Sequence, residues 1–277
     1  MADRNYFKLD VNAPIFEELA KEKPTWWKTV CADQELYINI RKDNRINVYY
    51  KGASVIDLSF KKGQFTAKIS SEYLDTDWKS AEPYYQTEPA KIVSDLNRIK
   101  VNIDNHYKLR KRQPEGASEK EIQGKEYTQG EYIDSEYAFV YSQPSRLIIR
   151  IDLTTVRKDG MIEFVELKRI SDNRLLHVEG STEAPEILRQ MHDYCRFITE
   201  YHSDIISYYK KVQAIMTKIG VRNPFLNCDI KGVCPYVRLL FVPYTDGKAD
   251  HPKREKRIQR IADLLAQEGI ISNINEI

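Results

Sequence analysis

Two adjoining segments constrain this chain more than any others: RLIIRIDL (residues 146–153) and MIEFVELKRI (161–170). The first is a nearly unbroken apolar run of the kind that fills a buried strand. The second alternates apolar and polar positions with a period of two. Between them Lys158-Asp159-Gly160 supplies hairpin chemistry, with glycine suited to the left-handed position of a three-residue loop. Such a loop pairs residues whose numbers sum to 318, which sets Asp152 opposite Glu166. A two-residue loop would shift the pairing by one, and spacing alone leaves both registers open.

Chemistry concentrates on this hairpin. Asp152 ends an otherwise apolar run, where a desolvated carboxylate needs a metal, a cation or water. Ile162, Phe164, Glu166 and Lys168 share one face. Two carboxylates and a backbone carbonyl make a hard-oxygen site suited to Mg²⁺, and such a site can activate water against phosphorus. A neighbouring ammonium can orient that water or neutralise developing charge. By itself, D-x(n)-E-x-K in a chain with 30% charged residues describes a salt-bridged pair on a sheet surface equally well. The apolar strand, the tight hairpin and the order of elements around it favour a site.

That order is α-β-β-β-α-β and then α. Residues 119–129 read as a helix and EYAFVY (136–141) as a strand, with a turn at Gln143-Pro144 before the hairpin. A long helix is predicted over 183–211, with Pro185 tolerated in its first turn. VRLLFVPY (237–244) is a buried strand, and 257–269 a closing amphipathic helix. Upstream the pattern differs. A short helix is expected around 15–21 and a turn at Pro24. ELYINIR, RINVYYKG, SVIDLSF and QFTAKIS then form an antiparallel meander over 35–70, punctuated by Asp43-Asn44, Gly52 and Lys62-Gly63. A helix from Glu88 to about Tyr107 carries Ile92, Leu96 and Ile99 on one stripe. The basic run Lys108, Arg110, Lys111 and Arg112 reads as a solvated face. It precedes a Pro/Gly/Ser break at 114–118. The expected organisation is therefore a β-rich recognition or accessory domain over 1–113 and a second domain over 119–277. Tyr49, Tyr50 and Lys51 could touch nucleic acid from the meander, although core packing explains the tyrosines as well.

Asp152, with Glu166-Leu167-Lys168 fourteen residues on, resembles the PD-(D/E)XK nuclease superfamily. Gln190-Met191-His192-Asp193-Tyr194 resembles the QxxxY motif of its RecB-like and lambda-exonuclease-like branch. The resemblance covers about 150 residues, from Glu119 to the C-terminus. It implies a restriction-endonuclease-like α/β (α+β) fold with an αβββαβ core around a mixed sheet. It also implies that Asp152, Glu166 and the Leu167 carbonyl hold Mg²⁺ or Mn²⁺ and that Lys168 positions the attacking water. Gln190 and Tyr194 would hold the site or the DNA backbone. The family's upstream Glu has four candidates, Glu119, Glu121, Glu126 and Glu136; the segment IDSEYAF slightly favours Glu136. The motif's leading Pro is replaced by Ile151, a common departure. Arg169 and Arg174 would meet phosphates or pair with Asp172. The implied activity is hydrolysis of DNA phosphodiesters in restriction, repair or mobile-element biology. The alternative is a catalytically silent nucleic-acid-binding or scaffold protein that keeps the fold.

Composition excludes several other classes. The net charge of +2, from 43 Lys+Arg against 41 Asp+Glu, is no polycation's, although a cleft's local field matters more for nucleic acid than the sum. No apolar run approaches the roughly 18 residues that span a bilayer. The start MADRNYFKLD resembles no secretory leader, so a cytoplasmic protein without a membrane partner is expected. Cys31, Cys195, Cys228 and Cys234 form no CxxC pair, which speaks for buried reduced thiols over zinc or an iron–sulfur cluster. The chain carries no GxxxxGK[ST], so ATP-driven translocation would need a partner such as a helicase subunit. His192, beside Gln190, points about 100° away around the helix and is expected at the surface.

Overall fold

The computed structural model describes residues 8–75, 82–111, 119–129, 132–141, 147–169, 172–176, 184–242, 251–270 and 272–276. The expected break at 114–118, the turn at Gln143-Pro144 and residues 243–244 lie outside them. Described helices and strands are mixed throughout, around two five-stranded sheets. No helix among the described residues is long and apolar enough to cross a membrane.

Two helices come first, α1 (Pro14–Glu22) and α2 (Thr25–Ala32). Pro24 separates them without ending helical structure, because its fixed φ of −53° suits a residue entering a new helix. The meander then forms as its pattern predicts: β1 (Leu36–Arg41), β2 (Arg45–Tyr50), β3 (Ala53–Lys61) and β4 (Gln64–Ser70), all antiparallel neighbours. A fifth strand, β5 (Tyr84–Thr87), pairs with β4. The helix expected over 88–107 divides at Asp95 into α3 (Pro89–Ser94) and α4 (Leu96–Lys111).

In the second half, α5 (Glu119–Gln129) leads to β6 (Tyr132–Tyr141), β7 (Leu147–Val156) and β8 (Met161–Arg169). The expected long helix divides at Tyr201 (φ −112°, ψ 18°) into α6 (Glu186–Glu200) and α7 (His202–Lys218). The Tyr201 ring packs 4.8 Å from that of Phe139. β9 (Gly232–Val242), α8 (His251–Gln267) and a short strand β10 (Ser272–Glu276) complete the chain. The second sheet has the order β10-β9-β8-β7-β6. β7 and β8 are antiparallel, whereas β9 runs parallel to both β8 and β10.

Contacts divide the chain into two compact units, and the division is interleaved. Among the described residues, a site unit comprises Glu136–Ser207 and the residues from Cys228 onward; a meander unit comprises residues 8–135 together with Tyr208–Asn227. This differs from the expected 1–113 and 119–277. Helix α5, the first residues of β6 and most of α7 cluster with the meander. One cause is close backbone approach: a Cβ on Gly124 of α5 would sit 2.1 Å from the Gly52 nitrogen in the β2–β3 turn. Gly52 itself has φ +84°, so both positions need glycine. A second cause is a buried ion pair. Asp134 of β6 accepts from Arg41 Nη1 at 2.6 Å, from the Ser135 N–H at 2.8 Å and from the Tyr209 hydroxyl at 3.3 Å. Arg41 Nη2 reaches the Tyr49 hydroxyl at 2.9 Å. A chain cut at residue 118 would leave Asp134, 1% exposed, without its guanidinium.

Candidate active site

The hairpin loop decides the geometry. Gly160 has φ +87° and its N–H donates to the Arg157 carbonyl, while the Arg157 N–H donates to Met161. This is the three-residue loop, and the ladder follows: Val156↔Ile162, Thr155↔Glu163, Thr154↔Phe164, Leu153↔Val165. Every pair sums to 318, so Asp152 and Glu166 leave one face of adjacent strands. Beyond Leu153↔Val165 the Asp152 carboxylate takes a main-chain donor, its Oδ2 accepting the Leu167 N–H at 2.8 Å.

The same face carries Phe164 toward α6, where Phe197 lies 6.3 Å from it ring to ring. The buried stripe of α6 is Ile187, Leu188, Met191, Tyr194, Phe197 and Ile198. Gln190 and Tyr194, one turn apart, therefore project toward Glu166. Glu166 Oε1 accepts from Lys168 Nζ at 2.5 Å and from Gln190 Nε2 at 2.6 Å. Glu166 Oε2 lies 2.8 Å from the Tyr194 hydroxyl, which also contacts the Arg150 carbonyl and accepts from Gln190 at 2.9 Å. One hydroxyl proton serves two acceptors, Glu166 and Arg150.

Glu166 and Lys168 are 3% and 5% exposed, and Tyr194 is 3% exposed. Asp152 and Gln190 are half-buried, so the cluster reaches the surface on their side. Burial, with the Glu166 and Asp152 charges, pushes the Tyr194 phenol well above its ordinary range.

The remaining predicted residues are spread out. Leu167 places its side chain on the opposite face of β8, 6% exposed, leaving its carbonyl as the group with ligand chemistry. Arg169 is half-buried at the end of β8. Arg174 pairs with Asp172, donating Nε to Oδ1 at 2.9 Å and Nη2 to Oδ2 at 2.5 Å. Glu136 is exposed, with φ +52°, at the point where β6 passes from the meander unit to the site unit. It is not among the hydrogen-bond partners of Glu166 described above. Glu119, Glu121 and Glu126 lie on α5, within the meander unit. His192 is exposed as expected. Cys234 is buried and the other three thiols are half-buried, with burial pushing Cys31 up to about 11.

Sequence reasoning passed over two groups. Arg150 contributes only its carbonyl, to which side-chain patterns are blind. Arg257 of α8 donates Nη2 to the Asp172 carbonyl at 3.0 Å; its position in a basic stretch, KREKR, was the available signal.

Asp152, Glu166 and the Leu167 carbonyl offer only hard oxygen donors, which fits Mg²⁺ or Mn²⁺ and not a thiophilic metal. No cluster of three His, Cys, Asp or Glu side chains suited to a metal occurs among the described residues. Two carboxylates would therefore share an ion with main-chain oxygen, water and substrate. No protein-family model matches the chain, and neither a curated protein nor a solved structure matches it.

Proposed function

We propose that the chain is a Mg²⁺- or Mn²⁺-dependent phosphodiesterase acting on DNA, built on the αβββαβ core of PD-(D/E)XK nucleases. The observation that carries this reading is the buried Glu166 carboxylate. Lys168 lies 2.5 Å from it, Gln190 and Tyr194 hold it from α6, and Asp152 is on the adjacent strand. A surface ion pair needs no such support. Three side chains from two elements converge here on one carboxylate, with a second carboxylate on the adjacent strand.

Asp152, Glu166 and the Leu167 carbonyl would hold the ion. When bound, it would polarise a phosphate oxygen and acidify a water. The chain's own residues account for the rest. Gln190 and Tyr194 fix the Glu166 rotamer, so its orientation costs nothing at the moment of reaction. The Lys168 ammonium exchanges one contact with Glu166 for the attacking water, aligning it and offsetting negative charge as phosphorus becomes pentavalent. The apolar side chains beneath, Phe164 and Phe197, exclude bulk water and strengthen these electrostatic effects.

One observation favours a second reading. Glu166 already meets three donors, as a purely structural ion pair would in a silent nucleic-acid-binding scaffold. The test uses the full chain with single- and double-stranded DNA and RNA, in Mg²⁺, in Mn²⁺ and in chelator. Cleavage of DNA that stops in chelator is expected. Lys168→Ala should lose about 10²–10⁴-fold in rate and keep metal binding by calorimetry, whereas Glu166→Ala should lose both. A wild-type chain that binds no divalent ion and cuts nothing ends the nuclease reading. Metal binding without cleavage points to a nuclease that needs a partner subunit.

A further inference from the structure

The face of β7 that carries Asp152 opens to solvent as it leaves the hairpin. Alternate residues along it are Thr154, fully buried, Asp152, half-buried, Arg150, exposed, and Ile148, 45% exposed. The residues between them, Ile149, Ile151 and Leu153, are buried on the other face. Arg150 therefore stands one step outward from Asp152, at the open end of the row. It enters the hydrogen-bonded cluster only through its carbonyl, which the Tyr194 hydroxyl holds. Its guanidinium has no hydrogen-bond or ion-pair partner among the described residues. Arg157, Arg174, Arg189 and Arg196, exposed elsewhere in the site unit, each pair with a carboxylate. Arg150 pairs with none, although Asp152 is two residues away.

Charge and spacing indicate what such a group can hold. As ionised groups, Asp152, Glu166 and Lys168 carry a single net negative charge, which repels a phosphodiester. The guanidinium on the same face brings that sum to zero. Two residues of strand span about 6.6 Å, close to the separation of successive phosphates on one nucleic-acid strand. A strand laid along β7 with one phosphate at Asp152 thus brings the next to Arg150. A guanidinium presents five N–H donors in a fork that matches phosphate oxygens. Ile148, the next residue outward, offers apolar surface to the sugar and base of a nucleotide, groups that a free anion lacks. Tyr194 already fixes the main chain at Arg150, so only side-chain freedom is lost on binding.

We infer that Arg150 binds the backbone phosphate next to the scissile one and so sets the position of the nucleic-acid strand along β7. The inference deepens the nuclease reading and rests on it for the identity of the scissile bond. Arg150 is a substrate contact and takes no part in the chemical step.

The experiment measures binding of fluorescent duplex DNA to the full chain by anisotropy, in chelator and in Ca²⁺, across a salt series. Arg150→Gln keeps the carbonyl that Tyr194 uses. It should reduce the slope of log K against log salt by about 0.9, one phosphate contact, and weaken binding several-fold at a fixed salt. Arg150→Lys should restore the slope but not the full affinity. Lys158→Gln, the same charge change in the exposed hairpin loop at the other end of β7, should leave the slope nearly unchanged. In turnover, Arg150→Gln should raise KM several-fold with kcat little changed. Melting temperature checks folding in each case. Equal slope changes in Arg150→Gln and Lys158→Gln would mean a diffuse field and overturn the contact. An unchanged slope in Arg150→Gln would overturn it too, while normal cleavage left the nuclease reading standing. A fall in kcat at unchanged KM would put the guanidinium at the reacting phosphorus and overturn the assignment to its neighbour. Binding that depends on Arg150 in a chain that never cuts would retain the phosphate contact and remove the hydrolase. A wild-type chain with no affinity for nucleic acid removes both.

Discussion

Two of the buried carboxylate–cation pairs among the described residues, Arg41–Asp134 and Lys168–Glu166, are built in opposite ways. In the meander unit, Arg41 and Asp134 come from strands 93 residues apart. The hydroxyls of Tyr49 and Tyr209 take up what the pair leaves over, and the buried Tyr127 and Tyr208 feel the same two charges. In the site unit, Lys168 and Glu166 are two residues apart on one strand. Their cluster continues through Gln190 and Asp152 to the surface. Both carboxylates have three donors. The difference lies in access. Asp134 is the enclosed member of its pair, at 1% exposed, and only the Arg41 end is partly open, so that pair serves to specify a fold. A cluster that continues to the surface through Asp152 and Gln190 can exchange a donor for water, and that exchange is what the proposed hydrolysis would need.

The largest expected effect tests the open pair. Lys168→Met should reduce turnover about 10²–10⁴-fold, with a smaller loss of stability than its counterpart in the Arg41–Asp134 pair, because Glu166 keeps its Gln190 and Tyr194 donors. Urea melts beside rate measurements check both halves, and an unfolded Lys168→Met would erase the distinction. Next in size, Arg41→Met should cost about 3–5 kcal/mol, the penalty for stranding a buried charge. Adding Asp134→Leu should recover part of it. If Arg41→Met melts like wild type, Asp134 is not sealed and the comparison fails.

Smaller effects refine it. Tyr194→Phe removes a hydroxyl from a carboxylate and a carbonyl and should cost about 1.5–3 kcal/mol, while Tyr209→Phe, losing a 3.3 Å contact, should cost about 0.5–1.5 kcal/mol. Equal losses would mean that the two phenols do the same job. The smallest effect is on pH dependence, with opposite signs in the two units. At Asp172 burial works upward, but the Arg174 hydrogen bonds and charge and the Lys168 charge outweigh it and hold the carboxyl below its usual range. Its stabilisation is present above the unfolded value of about 3.9 and is lost as pH falls through the folded one. At Asp134 burial outweighs Arg41, Ser135 and Tyr209 and raises the carboxyl. Its contribution is present below the unfolded value and fades as pH rises through the folded one. Relative to wild type, Asp172→Asn should lose stability near neutrality and converge with it in acid. Asp134→Asn should show the reverse trend with pH. Melting curves from about pH 3 to 7 measure both.

What was legible in the sequence was local. Gly160 and the period of two fixed which faces Asp152 and Glu166 share, and the one-turn spacing of Gln190 and Tyr194 put them together. The Arg41–Asp134 pair left no local pattern, since its members meet only after the meander has formed. The helix breaks at Asp95 and Tyr201 carry neither Pro nor Gly. Tyr201 is turned out of helical geometry beside Phe139, 62 positions earlier. β5 and β10, YYQT and SNINE, lack the apolar alternation that marks a strand; pairing with β4 and β9 creates them.

The interleaved division also sets a timetable during synthesis. Arg41 and Asp134 can meet as soon as β6 leaves the ribosome. The Tyr209 hydroxyl that completes the cluster is 75 residues further on. At about 5–20 residues per second it arrives roughly 4–15 s later. Glu166, by contrast, acquires Gln190 and Tyr194 within 28 residues, on the order of 1–6 s at the same pace. On a growing chain, the Asp134 cluster begins first and is completed after the Glu166 cluster, although the sheet of the site unit closes only with β9 and β10. Through that interval the half-made Asp134 cluster is the stretch most open to a chaperone or a protease.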